Sequence, residues 1–474
     1  MAFWNRRKAL DVSAHFGAHG RLKPTLSWWH LVAMGVGAIV GTGIYTLTGI
    51  GAGLAGPAVI LSFLLCGVIC ACAAFCYAEM ATMIPAAGSA YTYTYVGLGE
   101  MLAWIVGWSL VLEYTVAAAA VAVGWSAHVA EFIRAAGWPV PEALLHGVMS
   151  GGILDLPAVL ISAAVALMLI SGTRESATVN LVLVIIKVSA LVVFVALAAG
   201  AFDPARFHPF APYGLGAHVD ADGVKRGMLA AAALIFFAFY GFDAVSTAAE
   251  ETKNPGRDLT IGIIGSMVLC TAIYIAVAGT ALGASTFKDF SQSAAPLVYI
   301  LRLLHHPQSA EIVAGAAIVA LPTVILVLMY GQSRIFFVMA RDGLLPQSLS
   351  AVSKRRGTPV LMTALTGVVV AVMAATLRLD EIALLANAGT LCAFVAVALC
   401  VLVLRVRAPK QERAFRTPLV WIVGPVCIVG CLYLFLNGLP RFTQEWFLLW
   451  NSFGLLIYLL YGARRSALAK SPTG

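Results

Sequence analysis

Apolar runs of about twenty residues alternate with short polar segments from Leu26 almost to the end of the chain. A helix of that length crosses about 30 Å of hydrocarbon, so each run reads as a membrane span. Twelve spans are expected, at residues 28–54, 57–83, 100–131, 154–172, 176–201, 226–251, 259–283, 310–340, 359–377, 381–405, 418–438 and 444–463. A β-barrel would show short alternating strands instead. An even number of crossings puts both termini on one side of the membrane. Residues 1–24 are polar and basic and the first apolar run is long enough to span, so no cleaved leader is expected.

Two spans are interrupted. The first contains GVGAIVGTGIY (35–45), with Gly35, Gly37, Gly41 and Gly43 close together. Each glycine weakens a helix by about 1 kcal/mol relative to alanine. The sixth reads AALIFFAFYGFDAVSTAAEE, where Gly241 precedes a charged Asp243. Spans 1 and 6 hold matching positions if the chain comprises two five-helix repeats followed by two further spans. An odd number of spans per repeat makes the second repeat inverted. Interrupted segments at matching positions point to a transporter binding site. Close helix packing would also account for the glycines of span 1, and Gly37 and Gly41 have small-xxx-small spacing. The matching break in span 6 favours a site. A dinucleotide fingerprint is excluded, because the glycine spacing is one residue too long and no soluble βαβ unit surrounds it.

A broken helix frees backbone groups that lipid does not satisfy, so they belong against a cavity or a ligand. The second half of span 1 starts near Thr42 and Gly43. Its N–H groups and positive dipole end make Gly41, Thr42 and Gly43 a carboxylate cradle. The carbonyls of Ile39 and Val40, and of Phe237, Ala238 and Phe239 in span 6, would accept from an ammonium. A zwitterion satisfies both halves of such a site. Phe236, Phe237, Phe239, Tyr240 and Phe242 crowd the second break, and Phe237 is the residue expected to close over the substrate.

Composition agrees with the pattern: 61% of the 474 residues are hydrophobic and 11% charged, with a mean hydropathy of +0.92. Soluble domains carry about 25% charged residues. The net charge of +8 would suit nucleic acid, but the charges lie between the spans. With the N-terminus inside, twenty-one lysines and arginines fall in inner segments and eight in outer ones, with Lys187 mid-span. The positive-inside rule then places both ends in the cytoplasm. The nine cysteines all sit in apolar helices without a histidine or carboxylate cluster, which reads as packing and not as a metal site.

Three ionisable residues lie deep in spans: Glu113, Lys187 and Asp243. Such residues are costly in a membrane and by default functional. Lys187, within LVLVIIKVSALVVF, is a candidate to take and release a proton. The competing reading is a permanent ion pair with Glu113 or Asp243. Glu113 is a candidate substrate contact or a neighbour that tunes Lys187, and equally a hydrogen-bonding core residue. Asp243 is expected to cap the second half of span 6.

The stretches GVGAIVGTGIY (35–45), GFDAVSTAAEETKNPGRDL (241–259), YGQSRIFFVMARDGLLP (330–346) and RAFRTPL (413–419) resemble the amino acid–polyamine–organocation superfamily, in particular bacterial relatives of the cationic amino acid transporters. The resemblance spans roughly residues 25 to 465. It implies a leucine-transporter-type fold, all-α and polytopic, with twelve transmembrane helices and broken helices 1 and 6 in a 5+5 inverted repeat. It implies substrate carboxylate on Gly41, Thr42 and Gly43, and substrate amine on carbonyls of spans 1 and 6. It also implies proton coupling at Lys187, a span 3 glutamate at Glu113 and a gating aromatic at Phe237. Where many relatives carry proline after KNPxR, this chain has Leu259-Thr260. Span 8 helps set specificity in the family. Here PTVILVLMYG (322–331) brings Leu326, Leu328 and Met329, and Leu328 is taken as a substrate contact. Such a greasy wall favours small or branched neutral amino acids over arginine.

The expected function is therefore proton-coupled uptake of L-amino acids by alternating access in a cell (inner) membrane, with the proton as coupling ion and no other cofactor. The alternative is a cationic amino acid or amino acid/polyamine exchanger. A channel would carry a repeated polar pore lining. An enzyme is not expected, since no HExxH or GxSxG constellation occurs in the spans. The division is a cytoplasmic tail (1–25), a first repeat (26–202), a second inverted repeat (203–406), two further spans (407–465) and a tail (466–474). Free L-amino acid and the lipid bilayer are the expected partners, with room for a small single-span accessory subunit and a monomeric or weakly oligomeric state. Nucleic acid is not a partner.

Overall fold

The computed structural model describes residues 6–9, 24–171, 174–293, 295–351, 353 and 359–470. Of the basic residues that set the expected orientation, Arg21, Lys23, Lys354, Arg355 and Arg356 lie outside the described residues.

The chain is a bundle of helices in the order α1 (Trp28–Ile39), α2 (Thr48–Ala55), α3 (Val59–Met83), α4 (Ser89–Gly97), α5 (Glu100–Ala135), α6 (Leu156–Ser171), α7 (Arg174–Ala199), α8 (Met228–Ile235), α9 (Ala244–Thr247), α10 (Pro255–Ala284), α11 (Phe287–Phe290), α12 (Pro296–Leu303), α13 (Pro307–Ala320), α14 (Pro322–Arg341), α15 (Val360–Thr376), α16 (Leu379–Arg407), α17 (Val420–Tyr433) and α18 (Arg441–Ile457). Among the described residues, eight helical segments are long and apolar enough to cross a membrane, and four shorter apolar helices accompany them. The protein is a polytopic helical membrane protein.

Helix starts follow the sequence. Helices α10, α12, α13 and α14 each open on proline, which lacks the N–H that a first turn leaves unused. The same chemistry divides a segment expected to be continuous. The apolar run predicts span 8 over 310–340; instead α13 starts at Pro307, and the helix is jointed at Leu321–Pro322. Proline in a helix interior removes one backbone bond and clashes with the preceding turn.

Helix α10 packs against α1 and α3, and α8 against α3, forming one group. Helices α5, α6, α14, α15 and α16 pack among themselves as a second group. Helix α7 touches both α1 and α10, and α1 also meets α14. The broken helices α1 and α8 thus belong to the first group and face the second, α1 through α14 and α8 through α16. At the end where residues 6–8 meet Asp342 and Ala463, the two longest motif stretches are joined: Arg334 pairs with Glu251 at 3.1 Å, and Arg341 lies 3.5 Å from Glu250.

Candidate functional site

Helix α1 stops at Ile39, and Val40 turns to extended backbone (φ −75°, ψ 96°). The chain resumes as a π-helical turn over Gly43–Leu47 and continues into α2. A π turn is a single widened turn and tends to occur at functional positions. In the partner break, α8 tightens into a 3₁₀ turn at Phe236–Ala238, unwinds, and restarts as the four-residue α9. Gly241 lies in the left-handed region (φ +112°), and a Cβ there would fall 2.8 Å from the Ala38 Cβ. Only glycine suits that position, for both reasons.

The two breaks touch. A Cβ on Gly43 would lie 2.4 Å from the Ala238 Cβ and 2.5 Å from its Cα. Gly41 faces Val324 of α14, and a Cβ on Gly124 of α5 would strike the Thr42 methyl. The Gly41 N–H makes no hydrogen bond among the described residues, and the Thr42 hydroxyl is buried without a partner. Unsatisfied donors at a helix start, held away from solvent, suit an anionic group. Gly35 and Gly37 serve packing, facing Ser266 and Asn180.

Lys187 is completely buried. Its Nζ donates to Gly37 O and Val40 O, each at 2.7 Å, and to Thr323 Oγ1 at 3.0 Å. Three acceptors match the three N–H bonds of an ammonium, and the negative end of the α1 dipole adds to the attraction. The ion pair with Glu113 or Asp243 considered from the sequence is not formed. Tyr45 of the π turn donates to Lys187 O at 3.1 Å, linking the second half of the broken helix to the same place.

The carbonyls expected to receive an amine are partly taken. Val40 O is held by Lys187. The Tyr274 hydroxyl of α10 lies 2.6 Å from Ile39 O and 2.8 Å from Ala238 O. One hydroxyl has one proton, so Tyr274 serves either carbonyl fully but not both at once. It is a strut between the two breaks. Tyr274→Phe is expected to leave the fold intact and lower transport about tenfold by loosening this junction. Uptake at wild-type level with folded Tyr274→Phe protein would dismiss the strut.

Asp243 occupies the N-cap position of α9, but its side chain makes no cap hydrogen bond. This corrects the expected capping role: the carboxylate instead accepts from the Tyr114 hydroxyl at 2.5 Å, and Oδ1 has no partner. With α9 only four residues long, there is little helix end to cap. Glu113 is completely buried, and both carboxylate oxygens lack partners. It lies electrostatically near Asp243 and Tyr240, on the side of the second break, and packs against Gly389 of α16. Phe237 is buried, with its ring 5.1 Å from that of Tyr240. Phe239 stacks edge-on against Tyr274 at 5.2 Å. Leu328 is buried one turn beyond Val324 on the same α14 face.

Tyr274, Thr323, Tyr45 and Tyr114 were not singled out from the sequence. Tyrosines in apolar runs are ordinary core residues and carry no pattern. Thr323 had a signal, since it follows a proline inside a span. Among the described residues no group of three or more metal-ligating side chains occurs.

A family model described as "Amino acid permease" matches residues 26–460. The chain is 42% identical to the branched-chain amino acid permease of Bacillus subtilis, covering 98% of each protein. It is 38% identical to a methylthioribose transporter of the same organism, over 98% of this chain and 99% of that one. It is 37% identical to a vacuolar cationic amino acid transporter of Arabidopsis thaliana, over 85% of this chain and 67% of that protein.

Proposed function

We propose that this chain, which belongs to the amino acid permease family, takes up branched or small neutral L-amino acids together with a proton. The observation that carries the reading is Lys187 seated on the carbonyl end of α1. While protonated, it fills three acceptors and holds α1 against Thr323 of α14. On losing the proton it loses a donor and its charge, and α1 is released to move. Proton and substrate then cross in one cycle of alternating access.

In this reading the substrate carboxylate lies on the N–H groups of Gly41, Thr42 and Gly43. Its amine meets carbonyls of the second break, and Phe237 closes over it. The eight long and four shorter apolar segments form twelve crossings arranged as two inverted five-helix repeats, with both termini cytoplasmic. Glu113 and Asp243 hold polar space beside the second break. Buried Val324 and Leu328 on one face of α14 supply the apolar wall, and the branched-chain relative supports that side-chain class.

The substrate class is tested by thermal unfolding of the purified protein with a ligand panel, because a ligand stabilises the state it binds. Leucine, isoleucine and valine are expected to raise the midpoint while arginine and methylthioribose leave it unchanged. A shift with arginine alone would favour the cationic exchanger, and a shift with methylthioribose alone would displace amino acids altogether.

A further inference from the structure

Residues 6–8 lie along the start of α5. Glu100 N–H donates to Arg6 O at 2.9 Å, and Lys8 N–H to Tyr95 O at 3.4 Å. The flanking side chains are paired. Arg6 Nη1 lies 3.4 Å from Glu100 and 2.7 Å from Ala463 O, and Lys8 Nζ lies 2.6 Å from Asp342. Arg7, between them, is exposed and has no acidic partner among the described residues. Arg407, the last residue of α16, donates from Nη1 to Gly97 O at 3.3 Å. The backbone of residues 6–8 and the Arg407 guanidinium therefore meet the same 95–100 stretch. Partial burial, and then the neighbouring Arg407 charge, push the Arg7 pKa down.

Beyond Arg407 the turn 407–412 forms a shallow, open surface concavity lined by Arg407, Ala408, Pro409, Lys410, Gln411 and Glu412. Arg407 and Lys410 make no ion pair among the described residues, and Glu412 is the one acid on the rim. Like charges side by side without a counter-ion are unfavourable, and an anion between them reverses that.

We propose that Arg7, Arg407 and Lys410 bind the phosphate of an anionic phospholipid headgroup. Guanidinium forks match phosphate oxygens in pairs. Arg407 ends a membrane helix, so the site lies at headgroup depth, where basic pockets attract anionic lipid. The bound headgroup holds Arg7 in place, and with it the Arg6 and Lys8 contacts that tie the chain's first described residues to α5, Asp342 and Ala463.

The test measures binding of short-chain phosphatidylglycerol, phosphatidylcholine and inorganic phosphate to the detergent-purified full chain. Phosphatidylglycerol is expected to bind the wild type about a hundredfold tighter than R7Q/R407Q/K410Q, at roughly fivefold per charge. R416Q/R464Q, which removes two exposed charges elsewhere on the same face, is expected to bind as the wild type does. If the triple variant misfolds, R7Q alone carries the test with an expected loss of about fivefold. Equal binding by wild type and R7Q, or equal weakening by R416Q/R464Q, overturns the site. Binding of inorganic phosphate as tight as that of phosphatidylglycerol overturns the lipid as its occupant.

Discussion

Lys187→Ala protein in liposomes is expected to lose gradient-driven accumulation by at least about tenfold while still exchanging substrate across the membrane. Alanine leaves Gly37 O, Val40 O and the Thr323 hydroxyl without the donor they share. A buried polar group left unpaired costs about 1–3 kcal/mol. The loss falls on the junction of α1 with α14 and not on the apolar core, so the variant is expected to fold at a lower unfolding midpoint. Exchange needs the broken helices to move but no net proton transfer, and so survives. Counterflow of labelled leucine at equal pH on both sides separates the two activities. Full accumulation by Lys187→Ala would remove the lysine from coupling, and loss of counterflow as well would show a structural role only.

Gly43→Ala is expected to weaken substrate binding by about a hundredfold, the effect of parting two helices that must converge on one ligand. The added methyl would lie 2.4 Å from the Ala238 Cβ and 2.5 Å from its Cα, and the latter is backbone that no rotamer can move. Carbon atoms settle at about 3.5–4.0 Å, so the breaks must separate by an ångström or more. Overpacking of this kind costs about 1–3 kcal/mol of stability. Gly279→Ala in α10 is the matched control, since a Cβ there meets nothing within 4 Å. Titration of leucine against the unfolding midpoint reads both effects. Unchanged affinity in Gly43→Ala would contradict the carboxylate cradle.

The sequence displayed the apolar segments and both breaks because each is a local property. Apolar length marks a membrane helix, and glycine beside Asp243 marks a break within span 6. Lys187 stood out because a charge in LVLVIIKVSALVVF has no local explanation. Its partners were not legible. Two are backbone carbonyls of a helix more than a hundred residues away, and any residue offers a carbonyl. The third, Thr323, needed the joint at Pro322 to be recognised inside an otherwise continuous span. Tyr274 is a tyrosine among alanines and isoleucines until the fold sets its hydroxyl between Ile39 O and Ala238 O. The capping role expected of Asp243 presumed a long second half-helix. The chain forms a single turn there, and the carboxylate turns to Tyr114.

The proposal as a whole rests on a proton travelling with the substrate. The direct measurement is uptake of labelled leucine into proteoliposomes of the wild-type protein, with the outside made acidic relative to the lumen and then with the gradient collapsed by a protonophore. Coupling requires accumulation above the outside concentration that disappears on collapse. Equilibration to the outside concentration at the same rate with and without the gradient would contradict it.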